Sequence, residues 1–136
     1  VGGGIYTPAL SARTYDRLLE LARPVLAAGL PVFLDATYLD AERRQAARRL
    51  AAELGVPFAI LALEAPEAKI RQWLRERAAE GGAVSEGDEA VLDKQLASEE
   101  PLGPDEQAFA LTVDTSEPLD FDALAEELRA TARAPD

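Results

Sequence analysis

Residues 31–37, Pro31-Val32-Phe33-Leu34-Asp35-Ala36-Thr37, form a short apolar run that ends in a carboxylate and a hydroxyl. A run of this length, rich in Val, Phe and Leu and flanked by helical patterns, predicts a strand buried on both faces of a parallel sheet. Ligands of open α/β sheets bind beyond the carboxyl ends of the strands, where Asp35 and Thr37 would then lie. The pair therefore indicates a site for Mg²⁺ or phosphate. The alternative is an ordinary loop that leads into a helix cap.

Two further apolar runs alternate with helical patterns along the chain. The predicted strands cover residues 31–37, 57–63 and 108–115. Five helices are predicted, at about residues 9–28, 40–54 and 66–80, in a segment that begins near Ser85, and at about residues 121–132. Strands that alternate with helices predict right-handed crossovers and a parallel sheet. We therefore expect a three-layer α/β/α fold, in which the helix pair around residues 81–87 is a candidate lid.

The composition excludes several classes of chemistry. The 136 residues include neither Cys nor His, so disulfides, thiolate metal sites and a histidine base are excluded within this chain. The net charge of −11 opposes binding to nucleic acid, because nucleic-acid binders carry basic surfaces. No apolar run approaches the roughly 20 residues of a membrane span, and no signal peptide is visible. We expect a cytoplasmic, one-domain protein with a small anionic ligand and with neither membrane nor nucleic acid as partner.

Arginines cluster in two helical segments. Arg71 and Arg75 are four residues apart and share a helix face, whereas Arg77 points elsewhere. One interpretation is that these guanidiniums close on phosphates by bidentate hydrogen bonds, and the alternative is a solvated face paired with nearby glutamates. The second cluster is interpreted as a solvated face, with a role in ligand binding as the alternative, and consists of Arg43, Arg44, Arg48 and Arg49.

The last predicted strand ends in Asp114-Thr115-Ser116. One interpretation is a loop that lies against a nucleotide base. The alternative is a turn, because Asp, Thr, Ser and the nearby Pro118 all favour turns. Trp73, the only tryptophan, is expected to pack under the lid helix rather than to stack on a base.

A series of short motifs runs through the chain in a fixed order. It consists of Tyr6-Thr7-Pro8, Thr14-Tyr15, residues 29–38, residues 54–58, Glu64-Ala65-Pro66, Val91-Leu92 with Gln95, and Val113-Asp114-Thr115. Together these motifs resemble the C-terminal part of bacterial P-loop kinases of the AAA-family ATPase type, which are related to zeta-toxin-like and gluconate-kinase-like enzymes. Such domains are often fused to an aminoglycoside-phosphotransferase-like domain.

The resemblance implies transfer of the γ-phosphoryl group of ATP, with Mg²⁺, to an unknown small-molecule substrate. The implied site residues are Asp35 as the Walker-B-like acid that holds the metal, and Arg71 and Arg77 as lid arginines. Asp114 and Thr115 are implied to lie in the loop on the adenine side. Together with Thr37 they are the expected nucleotide-binding residues. Arg75 falls outside the family pattern, and Trp73 replaces a residue that is often polar or basic.

The phosphate loop of the family is missing from this sequence. Residues 1–136 contain no G-x-x-x-x-G-K-[ST] pattern, neither Lys69 nor Lys94 follows a glycine-rich turn, and the chain has no Met. One hypothesis is that the chain is the C-terminal part of a kinase domain whose N-terminal segment or domain lies outside it. The other is a non-catalytic α/β interaction module whose sheet is completed by another chain. In either case we expect a gap between residues 31–37 and 57–63, filled by a strand from outside this chain.

Overall fold

The computed structural model describes residues 8–81 and 86–135. Along them the elements follow one another as α1 (Pro8–Ala27), α2 (Ala41–Leu54), β1 (Ile60–Glu64), α3 (Glu67–Gly81), α4 (Glu86–Ser98), α5 (Pro104–Gln107), β2 (Ala110–Asp114) and α6 (Phe121–Thr131). The chain divides into two compact units, residues 1–58 with 134–136 and residues 59–133. The predictions made on residues 2–7 and on residues 82–85 lie outside the described residues. None of the described helices is both long and apolar enough to cross a membrane.

The ends of the first two helices follow from capping residues in the sequence. Asp40 precedes α2 with an extended backbone, and its Oδ1 accepts a hydrogen bond from the backbone N–H of Glu42 across 3.2 Å. Gly55 ends α2 in the left-handed conformation with φ 62°, and Gly29 follows α1 with φ 79°. Both glycines adopt a backbone that a β-carbon disfavours, and the predicted helix ends near residues 28 and 54 are confirmed.

The first unit is built from α1, α2 and the segment between them. Small and apolar side chains make its core, and the buried ones are Ala22, Ala47, Leu50 and Ala51. Arg23 of α1 donates to a carboxylate oxygen of Glu53 of α2 across 2.7 Å. The face of α2 that carries Ala47, Leu50 and Ala51 is thus buried in this unit, in which α2 packs against α1.

The predicted strand at residues 31–37 is wrong. The segment is irregular, and the Phe33 side chain is 75% exposed rather than buried between helical layers. The reason is physical: a strand is held by hydrogen bonds to a neighbouring strand, and none of the described residues supplies one to this segment. The predicted gap beside residues 31–37 remains a prediction.

The second unit contains the sheet. β1 and β2 pair in parallel, with a register that runs from Ile60 opposite Ala110 to Glu64 opposite Asp114. The two strands overlap the predicted runs 57–63 and 108–115, and Val113 of β2 is buried. Parallel strands joined through helices are the predicted α/β architecture, which the structure confirms.

One short helix was absent from the sequence prediction. α5 begins at Pro104, after Gly103, and leads into β2. The carboxylate of Glu106 turns back to accept a hydrogen bond from the backbone N–H of Gly103 across 3.0 Å, and the Glu106 side chain is almost fully buried. A single turn is too short for a periodic pattern, so only the bond from the Gly103 N–H to the Glu106 carboxylate marks its start.

Candidate functional site

Thr37 lies in a hydrogen-bonded corner at the start of α2. The Tyr15 hydroxyl, from α1, lies 3.1 Å from Thr37 Oγ1 and accepts a hydrogen bond from the backbone N–H of Tyr38 across 3.3 Å. The rings of Tyr15 and Tyr38 meet edge to face, with centroids 5.0 Å apart. The two tyrosines therefore join α1 to the segment that follows Asp35. We call the group formed by Tyr15, Thr37 and Tyr38 the Tyr15–Tyr38 cluster.

Tyr38 has the strained backbone of the Tyr15–Tyr38 cluster. Its φ is 45°, the one positive value among the described non-glycine residues. Arg44 of α2 is buried, and its Nη1 donates to the Tyr38 carbonyl oxygen across 2.9 Å. Burial, and secondarily the adjacent Tyr15, raise the pKa of the Tyr38 phenol. The phenol oxygen is buried without a hydrogen-bond partner in the described part of the chain.

Asp35 is an exposed carboxylate two residues before Thr37. No hydrogen bond or ion pair engages it among the described residues. These residues contain no group of three or more acidic side chains that would cage a metal ion. Mg²⁺ in nucleotide sites takes only one or two carboxylates, together with phosphate oxygens and water, so a single available carboxylate fits this ion.

The two helices of the predicted lid are joined by ion pairs. Arg71 of α3 contacts Glu67 one turn earlier and Asp93 of α4, at 2.7 and 2.5 Å. The hydrogen bond to Asp93, followed by that to Glu67, raises the pKa of the Arg71 guanidinium above its usual range. Arg75 Nε lies 3.3 Å from a carboxylate oxygen of Glu89. The face shared by these two arginines is thus directed to α4, which supports the paired-face interpretation for both.

Arg77 lies on a different face of α3. It lies at a shallow, open depression of mixed polar and apolar character, which is formed by Ile70, Trp73, Leu74, Glu76 and Arg77. No ion pair holds Arg77 within the described residues. Trp73 is at the helix surface, with the Lys69 ammonium 5.8 Å from its ring centroid, and is 37% exposed. Of the two implied lid arginines, Arg71 is therefore paired with carboxylates, and Arg77 has no such partner among the described residues.

Asp114 and Thr115 lie together at the carboxyl end of β2. The Thr115 hydroxyl and backbone N–H both donate to the Glu64 carbonyl oxygen, across 3.0 and 2.8 Å, so Thr115 joins the ends of the two strands. Asp114 accepts from the Ser116 hydroxyl and backbone N–H, and these two bonds, in that order, lower the pKa of the Asp114 carboxyl. The geometry is that of a turn closed by its own side chains.

The candidate residues divide between the two units. Asp35 and Thr37 belong to the first unit, and the other four belong to the second, in which Arg71 and Arg77 lie on α3 and Asp114 and Thr115 at the strand ends. The sequence reasoning did not single out Tyr15 or Tyr38 as functional, although both fall within the quoted motifs. It also assigned Arg44 to a solvated face, and this is wrong because Arg44 is buried.

The fold is consistent with one class of protein. A parallel sheet accompanied by helices fits the architecture of P-loop NTPase-like proteins. Residues 3–102 match the family described as the AAA domain, and the chain belongs to this family of nucleotide-binding P-loop NTPases. No curated protein and no solved structure matches the chain significantly.

Proposed function

We propose that this protein is part of an ATP-dependent phosphotransferase that acts on a small molecule. The observation that carries the proposal is the family match over residues 3–102, which includes Asp35, Thr37, Arg71 and Arg77. The exposed Asp35 carboxylate, which has no ion pair among the described residues, and the exposed Arg77 guanidinium supply the two kinds of group that phosphoryl transfer needs, an anion for the metal and a cation for the phosphate.

Each residue has a distinct role in this proposal. Asp35 holds Mg²⁺ directly or through water, and when bound this ion neutralises charge on the phosphates of ATP. Thr37 donates its hydroxyl to a phosphate oxygen. Arg77 binds the transferring phosphoryl group, where a guanidinium can bond bidentately. Asp114 and Thr115 form the wall beside the base.

Arg71 has a conditional role. Its guanidinium is committed to Glu67 and Asp93, so a phosphate would have to compete with two carboxylates for it. We propose that Arg71 acts on the phosphate only when the pairing between α3 and α4 is broken. This proposal predicts a larger contribution from Arg77 than from Arg71 when each is replaced by Ala.

The direct test is phosphoryl transfer from γ-labelled ATP to a panel of hydroxyl-bearing small molecules, with the protein at its natural length. We expect Mg²⁺-dependent transfer to at least one acceptor and its loss in Asp35→Asn. The matched control is Asp40→Asn, which makes the same charge change five residues further on and retains a good helix cap. Absence of transfer and of ATP hydrolysis across the panel contradicts the proposal.

A second candidate function is a non-catalytic interaction module completed by another chain. Large apolar side chains on the surface favour it: Leu63 of β1 is 63% exposed and Phe33 is 75% exposed. β1 also pairs with only one strand among the described residues, which leaves an open sheet edge. Phosphoryl transfer from Mg-ATP by the natural-length protein decides between the candidates, because only the phosphotransferase carries it out.

A further inference from the structure

The Tyr15 hydroxyl bridges two groups of the segment that follows Asp35. A phenol has one hydrogen to donate and two lone pairs to accept with. The backbone N–H of Tyr38 occupies one lone pair across 3.3 Å. The phenol hydrogen is then available for Thr37 Oγ1, 3.1 Å away. In that arrangement the hydrogen of Thr37 remains free to donate outward.

Either hydroxyl can donate in the contact between Tyr15 and Thr37. When Tyr15 donates, the chain of hydrogen bonds runs from the Tyr38 amide to the Tyr15 hydroxyl and from there to the Thr37 hydroxyl, which is exposed at its end. Hydrogen bonds in such a chain polarise one another, so the last hydroxyl becomes a better donor to an anionic oxygen. A phosphate oxygen beside Asp35 is the ligand that this donor fits.

The surrounding contacts hold the Tyr15–Tyr38 cluster in place. The Arg43 guanidinium lies 5.6 Å from the centroid of the Tyr15 ring, on the opposite helix from Tyr15. The positive φ of Tyr38 is unfavourable for a bulky residue and persists only where neighbouring contacts determine it, as they often do at ligand sites. A strained backbone stabilised by several contacts is expected for a loop that must present its polar groups in one orientation.

We propose that Tyr15 is a positioning residue, which orients the Thr37 hydroxyl as a donor to a phosphate oxygen of the nucleotide. The inference rests on the proposed function, since it assumes that a phosphate lies beside Asp35. Tyr15 itself does not touch the ligand. Its effect passes through Thr37, and this makes a coupling between the two residues the property to measure.

The test is a double-mutant cycle on the dissociation constant of Mg-ATP, with the protein at its natural length. Tyr15→Phe keeps the aromatic ring and removes only the hydroxyl, and Thr37→Val removes the donor with little change of shape. We expect each single variant to weaken binding about three- to tenfold, and Tyr15→Phe to have less than a twofold effect in the Thr37→Val background. Thr37→Ser keeps the hydroxyl and should retain the affinity.

The control is Thr131→Val, which removes a hydroxyl that donates to the Glu127 carbonyl oxygen in α6 and should leave binding unchanged. A second readout is hydrogen exchange of the Tyr38 amide, which should become faster in Tyr15→Phe. If the effects of Tyr15→Phe and Thr37→Val multiply, or if Thr37→Val binds ATP as the wild type does, the inference is overturned.

The same experiment separates the inference from the proposed function. Coupled losses of ATP affinity in a protein that transfers no phosphate support the inference and contradict the phosphotransferase proposal. Independent losses in an active phosphotransferase overturn the inference alone. Absence of ATP binding by the wild type overturns both.

Discussion

Arg44 donates a hydrogen bond to the carbonyl oxygen of Tyr38, and this buried guanidinium fixes the carbonyl of a residue whose φ is positive. The bond ties the first turns of α2 to the loop that precedes them. A charged side chain is rarely buried without such a partner, because its desolvation must be offset by hydrogen bonds. Arg44 therefore stabilises the loop that carries Asp35 and Thr37.

Replacement of Arg44 by Ala should destabilise the protein. The substitution leaves the Tyr38 carbonyl without its donor and removes the packed stem of the arginine, which together should lower the free energy of unfolding by about 1–3 kcal/mol. Arg49→Ala is the matched control on the same helix, where an exposed arginine should change the value by less than about 0.5 kcal/mol. Urea denaturation measures both, and equal midpoints would contradict the stabilising role of Arg44.

This burial shows where sequence reasoning succeeds and where it fails. The ends of α2 were predictable because Asp40 and Gly55 act on their nearest backbone neighbours. The parallel pair of strands was predictable from apolar runs separated by helices. Local chemistry and periodicity carry both signals. The pairing of the two strands, in which Ile60 lies opposite Ala110, is by contrast a contact that is distant in sequence.

The Tyr15–Tyr38 cluster and the irregular segment 31–37 depend on contacts between residues that are distant in sequence. Tyr15 and Thr37 are 22 residues apart, and no spacing rule brings their hydroxyls together. The apolar run around Phe33 has the composition of a strand, but its conformation depends on whether a neighbouring strand is present. The site residues proposed from sequence remain predictions, and the following substitutions test them.

Asp35→Asn should reduce kcat of the natural-length protein on the order of a hundredfold or more. Asn keeps the size of the side chain but loses the charge that positions the metal, and metal positioning stabilises the charge that develops on the phosphates. Steady-state kinetics across a range of Mg²⁺ concentrations measures the effect. Unchanged turnover would remove Asp35 from the mechanism.

Arg77→Ala should lower kcat at least about tenfold. The same substitution should weaken ATP binding by a smaller factor. The reason is that a lid arginine acts mainly on the transferring phosphoryl group rather than on the bound nucleotide. Arg75→Ala is the matched control, because Arg75 lies two residues away on α3 and faces Glu89 of α4. Equal rates in the two variants would favour a solvated role for Arg77.

Ser116→Ala should raise the pKa of Asp114 towards its ordinary value. The Ser116 hydroxyl makes the larger contribution to the lowered pKa, and the backbone N–H of Ser116 remains in the variant. A carboxyl with a lowered folded pKa stabilises the fold above the pKa of the unfolded chain, about 3.9, and loses this effect as pH falls through the folded value. Ser116→Ala should therefore flatten the acid side of the stability profile.

An NMR titration of the Asp114 carboxyl carbon measures this pKa directly. Ser98→Ala is a suitable control, since the Ser98 hydroxyl donates to the backbone carbonyl of Gln95 rather than to a carboxylate. An Asp114 pKa that is the same in Ser116→Ala and in the wild type would show that the hydroxyl does not stabilise the ionised form.

Residues 1–136 expressed alone should neither hydrolyse ATP nor transfer its phosphate. The sequence contains no Walker A pattern, and its two lysines, Lys69 and Lys94, do not follow a glycine-rich turn. The loop backbone and its lysine cradle the β- and γ-phosphates in P-loop enzymes, and no His or Cys is present to replace them. The net charge of −11 also repels a nucleotide unless local cations and Mg²⁺ offset it.

Isothermal titration of residues 1–136 with Mg-ATP, followed by a turnover assay against a boiled control, tests this prediction. Submicromolar binding or turnover above the control would show that other residues of this chain build the phosphate site.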